Sequence, residues 1–119
     1  MAELNLAYQV QCRSTGARGR AICSARNHHF VADDAHGEEI GAGELFFSGI
    51  AACAVNMVER IATADEIPLE WMEVKIESYQ DPGAPKAEVT IYDAIRVDFE
   101  MWGVSDDNAK KLVKIWKQR

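Results

Sequence analysis

Three cysteines, Cys12, Cys23 and Cys53, are the residues of this chain with the widest chemical range. They are odd in number and too widely spaced for a Cys-x-x-Cys redox or zinc motif. Free thiols in that arrangement fit a reducing cytoplasm, and the chain is expected there. Cys53 lies in the run Ala51-Ala52-Cys53-Ala54, a setting in which cysteine is most often a small buried hydrophobe. A nucleophilic role makes other demands. Thiolate, not thiol, is the nucleophile, and ordinary cysteine titrates at about 8.5, so a working nucleophile needs a positive neighbour. Guanidinium suits that task because it stays charged and presents a rigid fork of donors, which a carboxylate can hold in place. Cys12 and Cys23 fall on expected strands and read as packing residues. His28 and His29 stand close to Asp33 and Asp34, but neighbours on a strand point to opposite faces and no third ligand has a usable spacing. No metal and no cofactor are expected.

The elements that must position these residues follow from pattern. Leu4, Leu6, Tyr8 and Val10 alternate with mostly polar neighbours, which predicts a first strand over Leu4 to Val10. Ser14 to Gly19 has turn composition, and Arg20 to Val31 returns as one or two strands, giving a hairpin or a three-stranded meander. Ala35 to Gly43 is a glycine-bearing acidic loop. From Glu44 to about Ala64 the chain has no proline and is apolar nearly all round as far as Val58, so it predicts a helix that other protein must cover. Pro68 stops it. Met72 to Tyr79 alternates again, Asp81-Pro82-Gly83-Ala84-Pro85 is a turn, and Glu88 to Met101 is a long strand with a bulge expected at Asp93-Ala94. Ser105-Asp106-Asp107 caps a last helix with Leu112, Val113 and Trp116 on one face. The lysines at 110, 111, 114 and 117 read as its solvated side, and the sequence stops within this helix. Trp71, Trp102 and Trp116 read as core or interface anchors.

Composition sets the bounds. The 119 residues are one domain's worth, 1–119. Nineteen acidic against thirteen basic residues give a net charge of -6, which disfavours nucleic acid and anionic membrane surfaces as partners. The opening MAELNLAYQVQCRST has no signal-peptide pattern. No stretch is read as a bilayer span of roughly 20 apolar residues, so no membrane association is expected.

The segment Gly43-Glu44-Leu45-Phe46-Phe47-Ser48-Gly49-Ile50-Ala51-Ala52-Cys53 resembles the signature of the osmotically inducible protein C (OsmC) and organic hydroperoxide resistance (Ohr) family: a Glu-Leu pair, small apolar residues, then Ala-Ala-Cys in a central helix. Arg26 to Asp33 upstream, and Ile67-Pro68-Leu69, Asp81-Pro82-Gly83, Gly103 and Ser105 to Ala109 downstream, follow the family order, so the resemblance spans about residues 8 to 119. It implies an α+β fold of N-terminal strands, a long buried central helix, further strands and a terminal helix, intertwined as a homodimer with the central helices side by side. It also implies a thiol-dependent peroxidase that reduces organic hydroperoxides in oxidative or osmotic stress. Cys53 would be the peroxidatic cysteine, Arg18 the activating arginine with Arg20 or Arg26 as alternatives, and Glu44 the glutamate ahead of the helix. In the strict hydroperoxide branch that glutamate falls one residue earlier, at the place of Gly43. Phe46, Phe47, Ile50 and Met57 would make the pocket favour an apolar peroxide. A thiol or dithiol would be the reductant. Family members continue beyond the equivalent of Arg119 into a Cys-Pro pair holding the resolving cysteine, which this sequence does not contain. The family's intramolecular disulfide is therefore not expected, and a non-catalytic dimer binding a small apolar ligand is the alternative.

Overall fold

The computed structural model describes residues 3–83 and 92–118. The chain divides into two compact units, Met1–Phe46 and Phe47–Arg119. In the first, β1 (Gln11–Ser14), β2 (Arg20–Ala25) and β3 (His28–Asp33) form an antiparallel sheet in the order β1-β2-β3. The meander expected from sequence is present, with β2 and β3 joined through the two residues Arg26 and Asn27. Arg26 holds a φ of 55° there, which matches a tight hairpin turn to the right-handed twist of its strands. Cys23, Ala32 and Asp33 are the buried residues of this sheet.

The first strand differs from expectation. Among the described residues Leu4 to Val10 pairs with no strand, and strand structure begins at Gln11. Leu4, Leu6, Tyr8 and Val10 are 95%, 78%, 91% and 73% exposed. Alternation marks which face a strand would bury; it does not supply the neighbouring strand.

The chain then enters α1 (Ala42–Ala64), two residues earlier than the sequence indicates. Its far end closes in a Schellman motif: Ile67 N–H donates to the Ala62 carbonyl at 2.8 Å and Glu66 N–H to that of Thr63 at 3.3 Å. Glu66 takes a φ of 54° to allow this, and Pro68 follows. In the second unit β4 (Trp71–Tyr79) and β5 (Ala94–Trp102) pair antiparallel without interruption from Trp71↔Trp102 to Tyr79↔Ala94. The bulge expected at Asp93-Ala94 is instead the edge of β5, where Asp93 N–H donates to the Tyr79 carbonyl at 2.8 Å. Positions 84–91, including the expected start of this strand at Glu88 and the Ala84-Pro85 half of the turn, lie outside the described residues. Trp71 and Trp102 face each other across the open end of the hairpin, ring centroids 4.4 Å apart.

Helix α2 (Asp106–Lys117) is capped by the Ser105 hydroxyl, which accepts from Asn108 N–H at 3.2 Å. It ends on Gln118 as its C-cap rather than being left open. The core joins Val58, Ile61 and Ala62 of α1, Ile67, Met72 of β4 and Leu112 of α2. Phe99 and Trp116 close over it with an edge-on ring contact at 5.1 Å. Contrary to the sequence reading, α1 is long and apolar enough to cross a membrane by length and composition. Its C-terminal half is nevertheless packed on protein, through Ala54, Val58, Ile61 and Ala62.

Candidate functional site

Two faces of α1 differ in what they touch. Ala54, Val58, Ile61 and Ala62, at the spacing of one helical face, are buried in the core. Phe46, Gly49, Ile50 and Cys53 follow the same i, i+3, i+4, i+7 rule on another face, and all four are exposed. Phe46 is 63% and Ile50 38% exposed. Cys53 therefore sits at the end of an apolar stripe open to solvent in the single chain, as a free thiol. Two of the other apolar residues expected around it turn elsewhere: Met57 packs against the core and Phe47 meets the Tyr92 ring at 5.1 Å. A cavity of about 720 Å³ in this unit lies between β5 and α2, bounded by Met101, Trp102, Val113 and Lys114, and does not include Cys53.

Glu44 has a defined structural task. Its Oε1 accepts from the Gly41 N–H at 2.9 Å, the backward half of a capping box in which a residue of the first turn satisfies the N-cap amide. Asp34 Oδ1 accepts from Ala42 N–H at 2.7 Å, so two carboxylates hold orphan donors at the positive end of α1. Cys53 comes nine residues after Glu44, beyond the first turn where that dipole is concentrated. The helix end alone therefore supplies Cys53 with no useful positive charge.

The three candidate arginines occupy different settings. Arg20 leads β2 opposite Asp33 and is committed to carboxylates, with Nη2 2.7 Å from Glu38 and Nε 3.2 Å from Asp33 Oδ2. The Nε contact is close but poorly aligned for a hydrogen bond, so it is chiefly Coulombic. These contacts, the Glu38 hydrogen bond foremost, raise the Arg20 pKa above its usual value. Arg26 is fixed in the hairpin turn at positive φ. Arg18 lies in the exposed β1–β2 loop and makes no ion pair among the described residues; its carbonyl faces His36 Nε2 at 3.2 Å.

Asp33, which the sequence offered only as a weak metal ligand, organises the loop after β3. Its side chain is shielded from solvent and accepts from the N–H groups of His36 at 2.8 Å, Ala35 at 3.0 Å and Glu38 at 3.3 Å. Burial pushes its carboxyl up, but these donors and Arg20 outweigh that and hold it below the ordinary carboxylate range. His29 Nδ1 lies 2.7 Å from Ser24 Oγ. Among the described residues no group of three or more His, Cys, Asp or Glu side chains is placed to hold a metal ion. Cys12 and Cys23 stand directly opposite each other across β1 and β2.

Among the described residues, two antiparallel sheets and two helices, with a cysteine on the exposed face of the longer helix, define an α+β protein. The model of the OsmC-like protein family matches residues 35–119, and the chain belongs to that family. The crystal structure of an OsmC-like protein from Mycoplasma pneumoniae is 14% identical and superposes with a TM-score of 0.85, covering 98% of this chain and 84% of the other. A second solved structure, from structural genomics, is 17% identical with a TM-score of 0.73, covering 90% of this chain and 79% of that one. Identities this low establish the shared fold. Comparison with curated proteins gives no match.

Proposed function

We propose that the chain works as a homodimer in which Cys53 is the nucleophile of a thiol-dependent peroxidase for organic hydroperoxides, in a cytoplasmic stress response. The observation that carries this is the placement of Cys53 on the exposed apolar stripe of α1. A second copy laid along that stripe covers Phe46 and Ile50, and gives the thiol an apolar surround that admits an organic peroxide. Membership of the OsmC-like family supports the same reading. The Cys53 sulfur attacks the distal peroxide oxygen, the O–O bond breaks, and the alkoxide takes a proton and leaves as alcohol. The resulting sulfenic acid is returned to thiol by an external thiol or dithiol, with release of water. Arg18 is the arginine proposed to assist, because it makes no ion pair among the described residues, whereas Arg20 is held by two carboxylates and Arg26 by its turn.

The commitment of Glu44 to the helix cap favours a second reading, a dimer that binds a small apolar ligand without chemistry. The deciding experiment follows an organic hydroperoxide in the presence of a dithiol, with a chain carrying Cys12→Ser and Cys23→Ser and with the same chain carrying Cys53→Ser as well, so that only the Cys53 thiol differs. Sustained consumption that disappears in the variant is expected. Equal consumption by both proteins, or none by either, removes the peroxidase reading and leaves the binding one.

A further inference from the structure

Cys12 and Cys23 are eleven positions apart in sequence but exact cross-strand partners in the antiparallel pairing of β1 and β2. Directly opposed residues project from the same face of such a pair, with Cα atoms about 4.5 or 5.5 Å apart according to their place in the ladder. Both spacings fall inside the roughly 4.4 to 6.8 Å that a disulfide spans, so no strand has to be rebuilt to join them. The register also agrees with the titration of Cys23: Cys12 as a hydrogen-bonding neighbour, with burial, raises the Cys23 thiol above its ordinary range. Their exposures differ in a useful way, since Cys12 is open to solvent on a fully exposed strand and Cys23 is 8% exposed. Phe30, the partner of Cys23 on β3, flanks it on the other side.

We propose that Cys12 and Cys23 form a reversible cross-strand disulfide, which makes the N-terminal sheet a second redox site, independent of Cys53 chemistry. Peroxide is the oxidant. The Cys12 sulfur attacks the O–O bond of the hydroperoxide, giving a sulfenic acid and releasing the alcohol. The Cys23 sulfur then displaces the hydroxyl from Cys12, its proton leaves with that hydroxyl as water, and the S–S bond forms. In sum, two thiols and one hydroperoxide become one disulfide, one alcohol and one water.

The product is of the reducible kind. Cβ atoms of opposed residues lie about 4.5 to 5.5 Å apart, whereas a relaxed disulfide draws them to about 3.5 to 4.5 Å. Oxidation therefore pulls β1 towards β2, and an accessible, slightly strained bond of this sort yields readily to a thiol reductant. Its mechanical effect falls on β1, a four-residue edge strand held only by β2. In the dithiol state that strand can fray, and in the disulfide state it is tied to the sheet.

The test uses the full chain with Cys53→Ser, so that only these two thiols remain and failure of the peroxidase reading cannot be confused with failure here. One equivalent of organic hydroperoxide is added, free thiols are blocked with iodoacetamide, and the protein is cut with trypsin. Arginines at 13, 18, 20 and 26 release Cys12 and Cys23 on separate peptides. The expected result is a linked pair of these peptides from a chain of monomer mass on non-reducing electrophoresis, abolished by dithiothreitol. Adding Cys23→Ser, with the far-ultraviolet dichroism unchanged, should leave Cys12 as sulfenic acid after one equivalent and carry it to sulfinic acid with a second equivalent of hydroperoxide. The proposal is overturned if both thiols stay fully alkylatable, if Cys12 reaches sulfinic acid while Cys23 is present, or if the link joins two chains.

Discussion

Gly49 is a position at which the fold of one chain and the proposed dimer respond in opposite directions. It lies inside α1, and a Cβ built on it meets no atom within 4 Å among the described residues. Within a lone chain, replacing glycine by a better helix former should stabilise α1 by about 0.8 to 1.0 kcal/mol, because glycine surrenders the most backbone freedom on folding. If two α1 helices pack side by side through Gly49 and Ala52, Gly49→Leu instead forces a bulky side chain into the contact. Overpacking of this sort costs about 1–3 kcal/mol per site, and a two-fold axis doubles it to about 2–6 kcal/mol, which is at least about 30-fold in the dimer dissociation constant. Sedimentation equilibrium of native, Gly49→Ala and Gly49→Leu protein over a range of concentrations measures this, with urea unfolding as the control for the single chain. The expected outcome is a dimer for the native chain and dissociation for Gly49→Leu. A native protein that stays monomeric at micromolar concentration, or a Gly49→Leu dimer as tight as the native one, would refute the proposed packing of the helices.

Arg18→Ala should slow the reaction of Cys53 with organic hydroperoxide by about 10- to 100-fold, the worth of one hydrogen bond from a charged donor, as followed by stopped-flow mixing; an unchanged rate removes Arg18 from the mechanism. Glu66→Gly should stabilise the protein by about 1 kcal/mol, since the Schellman position at φ 54° suits glycine and burdens glutamate; a lower urea midpoint would contradict the motif. For Asp33 the folded pKa lies below the unfolded value near 3.9. Its stabilisation is therefore present above that value and lost as pH falls through the folded pKa. Chemical unfolding of native and Asp33→Asn protein at stepped pH should show the difference between them shrinking in that acid window, and a difference independent of pH would show that Asp33 acts only through its shape.

Some of the architecture was legible because the signals are local. Ser105 with acidic residues behind it, the alternation of Met72, Val74 and Ile76, and the apolar run of α1 each express a period or a cap within a few residues. The family signature around Cys53 was equally local. What failed depended on partners far along the chain. The alternation from Leu4 to Val10 is as clean as that of β4, yet no strand lies beside it among the described residues. Arg20 opposite Asp33 and Cys12 opposite Cys23 are consequences of register, fixed by the two-residue turn at Arg26-Asn27 and the loop before Arg20. Glu44 as a capping residue could have been read from Gly41-x-x-Glu44, but a glycine N-cap lacks the hydroxyl or carboxylate that usually flags the motif.

The tilted, closely packed indoles of Trp71 and Trp102 give the second unit an optical signature. At 4.4 Å between centroids and 58° between planes, their transitions couple strongly and with a definite handedness. The result is an exciton couplet in circular dichroism that depends on both rings and on the closure of the β4–β5 ladder between them. Because the helical signal comes from α1 and α2, heating the protein while watching both bands times the opening of the hairpin against the melting of the helices. A couplet that fades before the helical band would show that the ladder unzips from its tryptophan end while the helices still stand.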